Sequence, residues 1–517
     1  MSWSAQFIAD LQVYPSDPIF IVHFMKPIAG GAVVPGVDEL KLSSSPEYGD
    51  ITGLGMAVNV SGSSLRPVDW SYTAARASVV YVADSANSLT HVVRRGQVAR
   101  ILMGFAGYSF EDFEPVFMGR VAGISGSGPS WQVDFDDAST LLQQRWTGTA
   151  NRFLFNTAGQ TTTLSGTYTA GDGTINVVDN TKIQITGGSG PVGLVKIEPN
   201  SGESFYVKFT GKGSGTLTGG GASGVHGTTA ATANTGNTIT NVPFLNGSSL
   251  NIYKRLLTSD GTATGAPNIY PEEWGFGLPE DYVDVDDIDA QSAVLTTSGT
   301  TCSPEWKVLE EQEQPWNWLF GLFKPLGLIP VVRQGMFSMR AIQNPNEAEI
   351  DTGITIADDE VVDFVWHAYH PDVQAEYLSV NVTTTDGNNT NTVGAAKTFP
   401  VDYVLTYDLT DTTWAHSTSG QSNIRSNVLG RVFSWGIFVP YALQLDCAGL
   451  RLAQLCPGDI VTLELESLSA SNGYDEYYVG LTEVRGYSGR RAMVTTVSAD
   501  FVAGLVSLEL AIVPDFE

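Results

Sequence analysis

Bases are scarce in this chain. Lys and Arg total 27 against 55 Asp and Glu in 517 residues, a net charge of −28. A protein that grips nucleic-acid phosphates needs a concentrated basic footprint, so that class is excluded. Only 16% of residues are charged, yet 42% are hydrophobic and 10% aromatic. That is too much apolar content for an acidic disordered tail and enough for several cores. Cysteine is nearly absent: Cys302, Cys447 and Cys456 stand without C-x-x-C spacing. A disulfide framework, a zinc ribbon and an iron–sulfur site therefore lack ligands, and buried free thiols are expected. The start, Met1-Ser-Trp-Ser-Ala-Gln-Phe, carries neither the basic nor the apolar region of a signal peptide. The best candidate for a membrane span, Trp316 to Val332, is broken by Lys324, Pro325 and Pro330. It falls short of the roughly 20 apolar residues a span requires, so no stable membrane insertion is expected. The protein is expected to be made in a cytoplasm and to stay soluble until it meets partners.

Glycine, by contrast, is abundant at 55 residues, and Ser and Thr are frequent. With short alternating runs, this composition predicts a mainly β, multidomain chain. Strands are expected over Tyr72–Ala83, Gln97–Phe105, Phe117–Ile124 and Trp131–Phe135. In the last of these Trp131, Val133 and Phe135 alternate with Gln132 and Asp134, so one face is buried. A short helix follows, capped by Asp136 or Asp137 with Leu141 and Leu142 inward.

Composition divides the chain into four parts. Residues 1–146 form a first barrel-like β domain. Residues 147–267 form an inserted Gly/Thr-rich β domain with a long glycine-rich loop; from Gly213 to Tyr253 there is no Asp, Glu, Lys or Arg. Residues 268–345 form an α/β segment, with a helix started by Pro315 and a hairpin pairing Val331–Arg333 with Met336–Arg340. Residues 346–517 form a second β-barrel domain, with strands at Glu376–Thr385, Tyr441–Leu445, Ile460–Leu465, Glu476–Val484, Arg490–Phe501 and Leu505–Ile512, and one helix at Ser419–Ser434. A strand, a Gly-rich turn and an alternating return strand occur in both end domains, first at Gly119–Phe135 and again at Gly480–Val497.

Several fragments, in order along the chain, resemble hub proteins at the tail tip or baseplate of tailed bacteriophages. Phe117-Met-Gly-Arg-Val121 with Asp137 to Leu142 looks like the end of that family's first tube-like domain. Phe209-Thr-Gly, Gly215-Thr-Leu-Thr-Gly219 and Gly227-Thr-Thr-Ala-Ala231 are similar to a Gly/Thr segment of tail-tip proteins. There an Arg-Gly often precedes the Gly-Thr, and this chain has Gly224-Val-His-Gly227 instead. Trp274 to Asp284 is similar to the entry into the central domain, and Leu452 to Thr462 to the Pro-Gly-Asp-x-Val-Thr turn of the last barrel. The resemblance implies two tube-like β-barrels per subunit in a homotrimeric ring that matches a sixfold tail tube. It further implies that the ring contacts a distal tail protein, a tape measure and a fibre or spike. DNA is then a transient passenger through an acidic lumen that repels phosphate. Asp134 and Asp136 share a strand face opposite the apolar residues and are the first candidates for that lumen, followed by Glu464 and Glu466.

Catalytic signals are sparse. His367-Ala-Tyr-His370 has metal-ligand spacing, but its surroundings lack a helical frame. Asp284-Val-Asp-Asp-Ile-Asp289 lacks the central glycine and distal glutamate of a calcium loop, and a solvated acidic strand end is expected there. Neither a G-x-S-x-G nor a P-loop occurs, so neither catalysis nor a cofactor is expected. Trp274 and Phe276, or Trp316 and Trp318, could stack on a host-surface glycan, although a core or interface role is the plainer expectation. The alternatives to a structural hub are a receptor- or carbohydrate-binding tail protein, carried by the insertion, and a cell-wall hydrolase, carried only by unassigned carboxylates.

Overall fold

The computed structural model describes residues 3–13, 18–24, 40–52, 54–66, 70–82, 93, 95–143, 161–183, 193–219, 223–225, 228–242, 244–258, 278, 282–297, 304–307, 315–343, 352–367, 377–384, 391–393, 403–409, 412–414, 441–465 and 489–512. The chain is mainly β. Its largest unit is a fifteen-stranded sheet built from both ends of the sequence. The N-terminal strands are β1 (Ile19–Phe24), β2 (Leu40–Ser43), β3 (Ile51–Thr52), β4 (Leu54–Arg66), β5 (Ser71–Thr73), β6 (Arg76–Val82), β7 (Val98–Gly104), β8 (Glu114–Ser127) and β9 (Ser130–Asp137). A hairpin, β10 (Leu328–Arg333) and β11 (Met336–Ala341), stands apart as its own two-stranded sheet. The C-terminal strands are β12 (Thr355–Ala357), β13 (Val361–His367), β14 (Tyr441–Ala448), β15 (Ile460–Glu464), β16 (Arg490–Asp500) and β17 (Leu505–Ile512).

The hydrogen-bonded path runs β13-β14-β17-β16-β4-β6-β9-β8-β7-β1-β2-β3, with β5 on β4 and β15 joining β12 to β16. Its centre is the antiparallel seam between β4 and β16, where Val60 faces Ala499 and Asn59 faces Asp500. Strands from the two expected barrel domains are thus joined through one hydrogen-bonded seam. The path among the described residues is open, and β13 and β3 are its ends.

Alternation gives strands such as β6 and β9 one buried face, whereas β1 and β7 are buried on both, with Ile21 and Leu102 in a separate small core. In β9, Val133 and Phe135 are buried while Gln132, Asp134 and Asp136 are exposed or half-buried. In β14 and β17, Leu443, Leu445, Cys447, Val506, Leu508 and Leu510 point the same way as Val58 and Val79. All of these join one hydrophobic core that spans residues 3 to 512. At about 25 cal/mol per Å² of apolar surface, a shared core holds the two ends of the chain together more strongly than the backbone bonds of one seam. Helix α1 (Ala5–Val13) caps this core with Phe7 and Leu11, together with Trp3 just before it.

A second core lies beneath the hairpin. It collects α2 (Thr140–Gln143), α3 (Ser249–Thr258), α4 (Val285–Ala290) and α5 (Pro315–Phe323) around Leu328, Val331 and Phe337. Trp316 is 4% exposed in it, a core role and not a glycan platform. The Pro315 start of α5 and the β10–β11 register match the sequence reading. Gln334 and Gly335 make the two-residue turn with φ of 48° and 79°, the left-handed pair that a tight hairpin requires.

Between the ends of the chain, strands at Thr161–Thr163, Gly193–Glu198, Phe205–Phe209, Ser223–Val225 and Thr238–Val242 form a five-stranded sheet. A three-stranded sheet packs with it over Leu164, Ile175, Phe205, Leu217 and Ile239. Within the glycine-rich stretch expected as a long loop after Gly213, the described residues include short strands at Thr216–Thr218 and Ser223–Val225. Leu217, Ala233 and Ile239 are fully buried there, and such sparse apolar residues are enough to fix Thr-rich strands that carry no charge. The acidic strand end expected at Asp284–Asp289 is also corrected. Asp284 caps helix α4 by accepting from the Asp287 amide, so the run is helical. The helix expected at Ser419–Ser434, the strand at Glu476–Val484 and the first part of the second echo, Gly480–Tyr487, lie outside the described residues, while its return strand Met493–Val497 lies in β16.

Candidate functional site

Away from the core, the central and C-terminal strands of the large sheet carry polar rows that follow from the strand register, interspersed with the exposed Val80, Val82 and Val365. One row reads Asp500, Asn59, Ser78, Asp134 across β16, β4, β6 and β9. Another reads Asp363, Asp446, Ser507, Ser498 across β13, β14, β17 and β16. A third reads Gln444, Glu509, Thr496, Ser64. Directly paired residues lie on one side of a sheet, so these side chains share a surface.

Asp134 and Asp136 both stand on this face. Gln132 donates to Asp134 at 2.6 Å, which orients its carboxylate without neutralising it. Asp136 sits between two cations: Arg76 Nε is 3.6 Å away, and Arg120 is its partner on the other strand. Burial lowers the Arg120 pKa from its ordinary value, and Asp136 opposes that shift. Asp134 is therefore in a row with another acid, an amide and a hydroxyl, whereas Asp136 is in a charge-balanced one. Glu464 alternates with buried Leu463 and lies half-buried on the same side of β15 as Thr462. Glu466, Trp274 and Phe276 lie outside the described residues.

Asp363, Asp446, Asp500 and Glu509 complete the acidic surface, and sequence alone does not single them out. The alternations Leu443-Gln-Leu-Asp-Cys447 and Ser507-Leu-Glu-Leu510 carry that signal locally, but the shared face depends on a register that only the folded sheet supplies.

A second polar site is buried. Asp287 on α4 receives Arg333 Nη1 at 2.5 Å and also pairs with Arg340 and Ser338. Arg340 Nε reaches Asp459 at 2.8 Å, and Asp459 in turn accepts from the Cys456 amide at 2.9 Å. Burial alone would raise the Asp287 pKa. Arg340 and Arg333 override it and hold the carboxyl well below the usual carboxylate range. The group ties α4, the hairpin and the turn after β14 together beside a cleft of about 560 Å³. Sequence alone places Asp287 in solvent, because its cationic partners are some fifty residues away.

Among the described residues, no cluster of three or more His, Cys, Asp and Glu could hold a metal. His367 ends β13, and His370 is outside the described residues. Cys447 and Cys456 are free and buried. No described helix is long and apolar enough to cross a membrane.

No protein-family model and no curated protein matches the chain. Among solved structures, it is similar to the 43 kDa tail protein of prophage MuSo2 from Shewanella oneidensis, at 9% identity and a TM-score of 0.39, covering 96% of this chain and 98% of that one. It is also similar to an Escherichia coli component of the type VI secretion system, itself described as similar to T4 bacteriophage tail proteins. That match has 9% identity and a TM-score of 0.34, covering 89% of this chain and 74% of that one. A chain from the virion of a native gene transfer agent particle matches at 10% identity and a TM-score of 0.19, covering 46% and 84%.

Proposed function

We propose that this chain is a structural virion protein, one subunit of a homotrimeric hub at a phage tail tip or baseplate, which continues or closes the tail tube and anchors fibres or a spike. The observation that supports this most is the seam between β4 and β16, which merges strands from both ends of the chain over one core. Two tube-forming halves in one subunit, repeated three times, present six units to a sixfold tube. The acid-rich outer face, with Asp134, Asp363, Asp446 and Asp500, suits a wall that passes DNA without binding it. On this reading the protein is assembled in the host cytoplasm, resides in the virion tail, contacts a distal tail protein and a tape measure, and performs no catalysis. Light scattering at high concentration, or with neighbouring tail proteins, should give a trimer. A chain that stays monomeric and never enters a threefold ring overturns the proposal.

A second reading, receptor or glycan recognition, draws on the insertion, whose two sheets enclose their own core. Binding of the purified protein to a glycan array would favour it.

A further inference from the structure

The cleft beside the buried ion pairs has the size of a binding site: about 560 Å³, within the roughly 300–1,000 Å³ of small-ligand pockets. Separate parts of the chain line it, with Ile8 from α1, Ala290 from α4, Arg333 from the hairpin, Ile354 ahead of β12 and Ile460 from β15. Its charged groups are paired with one another, yet not all of their hydrogen bonds are made. The Arg333 side chain is 10% exposed and donates to Asp287 through Nη1. Among the described residues, Nη1 is the one donor of that guanidinium in use, and its Nε meets no acceptor. Nη2 of Arg340 is likewise without one. Nε and Nη2 form one edge of a guanidinium, so a whole edge of Arg333 is unused in a place where an unmade hydrogen bond is costly.

Charge decides what fits that edge. Arg333 and Arg340 are balanced by Asp287 and Asp459, and the exposed Asp286 adds a further carboxylate to the lining. An anionic ligand would meet three carboxylates against two guanidinium groups and be repelled. A primary carboxamide suits the site better. Its oxygen accepts from the guanidinium and its NH2 donates to the neighbouring carboxylate, so one group spans an Arg–Asp pair. The half-buried Ile8 and Ile354 offer apolar contact to the stem that carries it, and no described lining residue supplies an aromatic ring on which a sugar would stack.

We propose that the cleft binds a peptide segment of a partner protein, with an Asn or Gln carboxamide seated on the Arg333–Asp287 pair and a cationic residue beside it paired with Asp286. The inference does not rest on the assembly reading above. The pair stands ready before the ligand arrives, because Asp287 is also held by Arg340 and Ser338, and binding requires little ordering of the site.

Isothermal titration of the full chain with acetyl-Gly-Gln-Lys-amide, and with the same peptide carrying Glu or Leu in place of Gln, tests this. The Gln peptide should bind with a Kd in the millimolar range, and the other two at least about tenfold more weakly. Ala290→Trp changes an exposed lining position that takes no part in the ion pairs. It should remove binding and leave the urea midpoint of the protein unchanged. Equal binding of the Gln and Leu peptides, tighter binding of the Glu peptide, absence of binding by all three, or unchanged binding in Ala290→Trp overturns the proposal. Displacement of the Gln peptide by N-acetylglucosamine at lower concentration assigns the cleft to glycans and overturns it as well. Should Ala290→Trp not fold, Asp286→Asn decides: binding of the Gln peptide should weaken severalfold, in a manner masked by salt, and unchanged binding overturns the proposal.

Discussion

Asp363 stands directly across from Asp446 on the outer face of the large sheet, two carboxylates in one cross-strand row, with the Ser507 hydroxyl donating to Asp446 at 2.5 Å. Like charges directly opposite one another destabilise a strand pair, so this arrangement opposes stability at the sheet's edge. Asp363→Asn should raise the urea midpoint by about 0.1–0.2 M in low salt. The gain should vanish in about 0.5 M salt, where the screening length falls to a few ångströms. An equal effect at both salt concentrations would mean that repulsion is not its cause.

The hairpin turn separates two kinds of glycine. Gly335 has φ of 79° and no room for a methyl group against the Met118 backbone. Gly335→Ala should cost about 2–4 kcal/mol, measured by denaturant unfolding. Gly321 lies within α5, with nothing within 4 Å of the place a methyl group would take. Gly321→Ala should therefore stabilise by about 0.5–1 kcal/mol. A neutral Gly335→Ala would show that the turn does not rest on β8.

Asp287→Ala should be the more damaging change in the second core. It leaves Arg333 and Arg340 buried without their shared carboxylate, at a cost of about 3–5 kcal/mol. The folded carboxyl is held below its ordinary range. Its contribution is therefore complete above about pH 4 and is lost only as the pH falls through the depressed folded value. Acidifying from pH 7 to about 4 should leave this joint intact in the wild type, as read by near-UV circular dichroism.

Charge reversal tests the outer face. Asp134→Lys with Asp446→Lys puts two cations into rows whose neighbours are polar or acidic, whereas Asp136 already balances Arg76 and Arg120. If this face lines a tail tube as proposed, particles carrying the double change should assemble but release DNA more slowly, in a manner relieved by salt. Delivery at the normal rate would remove the lumen assignment of this face.

Much of this is legible in the sequence where the signal is local. The alternation of Trp131 to Phe135, the Pro315 helix start and the Arg333–Met336 turn all appear as read, because strand pleat, fixed proline φ and turn chemistry act over a few residues. The candidate surface is half legible. Asp134 and Asp136 follow from one strand's alternation, but Asp363, Asp446 and Asp500 join them only through register across four strands. Asp287 reads as solvated because an isolated acidic run looks hydrated, and the two arginines that bury it belong to a distant hairpin. Asp137 reads as a helix cap. Its burial beside Tyr72 and Val332 depends on a contact 260 residues away in sequence from Tyr72.

The seam of β4 with β16 also sets an order of events on the ribosome. Val60 and Ala499 are more than four hundred residues apart, so β4 leaves the exit tunnel on the order of tens of seconds before its partner exists. Until then one edge of the N-terminal half is an unpaired strand above an incomplete core. Closing so long a loop is entropically costly and slow, and the waiting edge is prone to pair with another nascent chain. Folding yield should therefore depend on how crowded the polysome is, and a shield for that edge during synthesis would matter more than the final stability of the sheet.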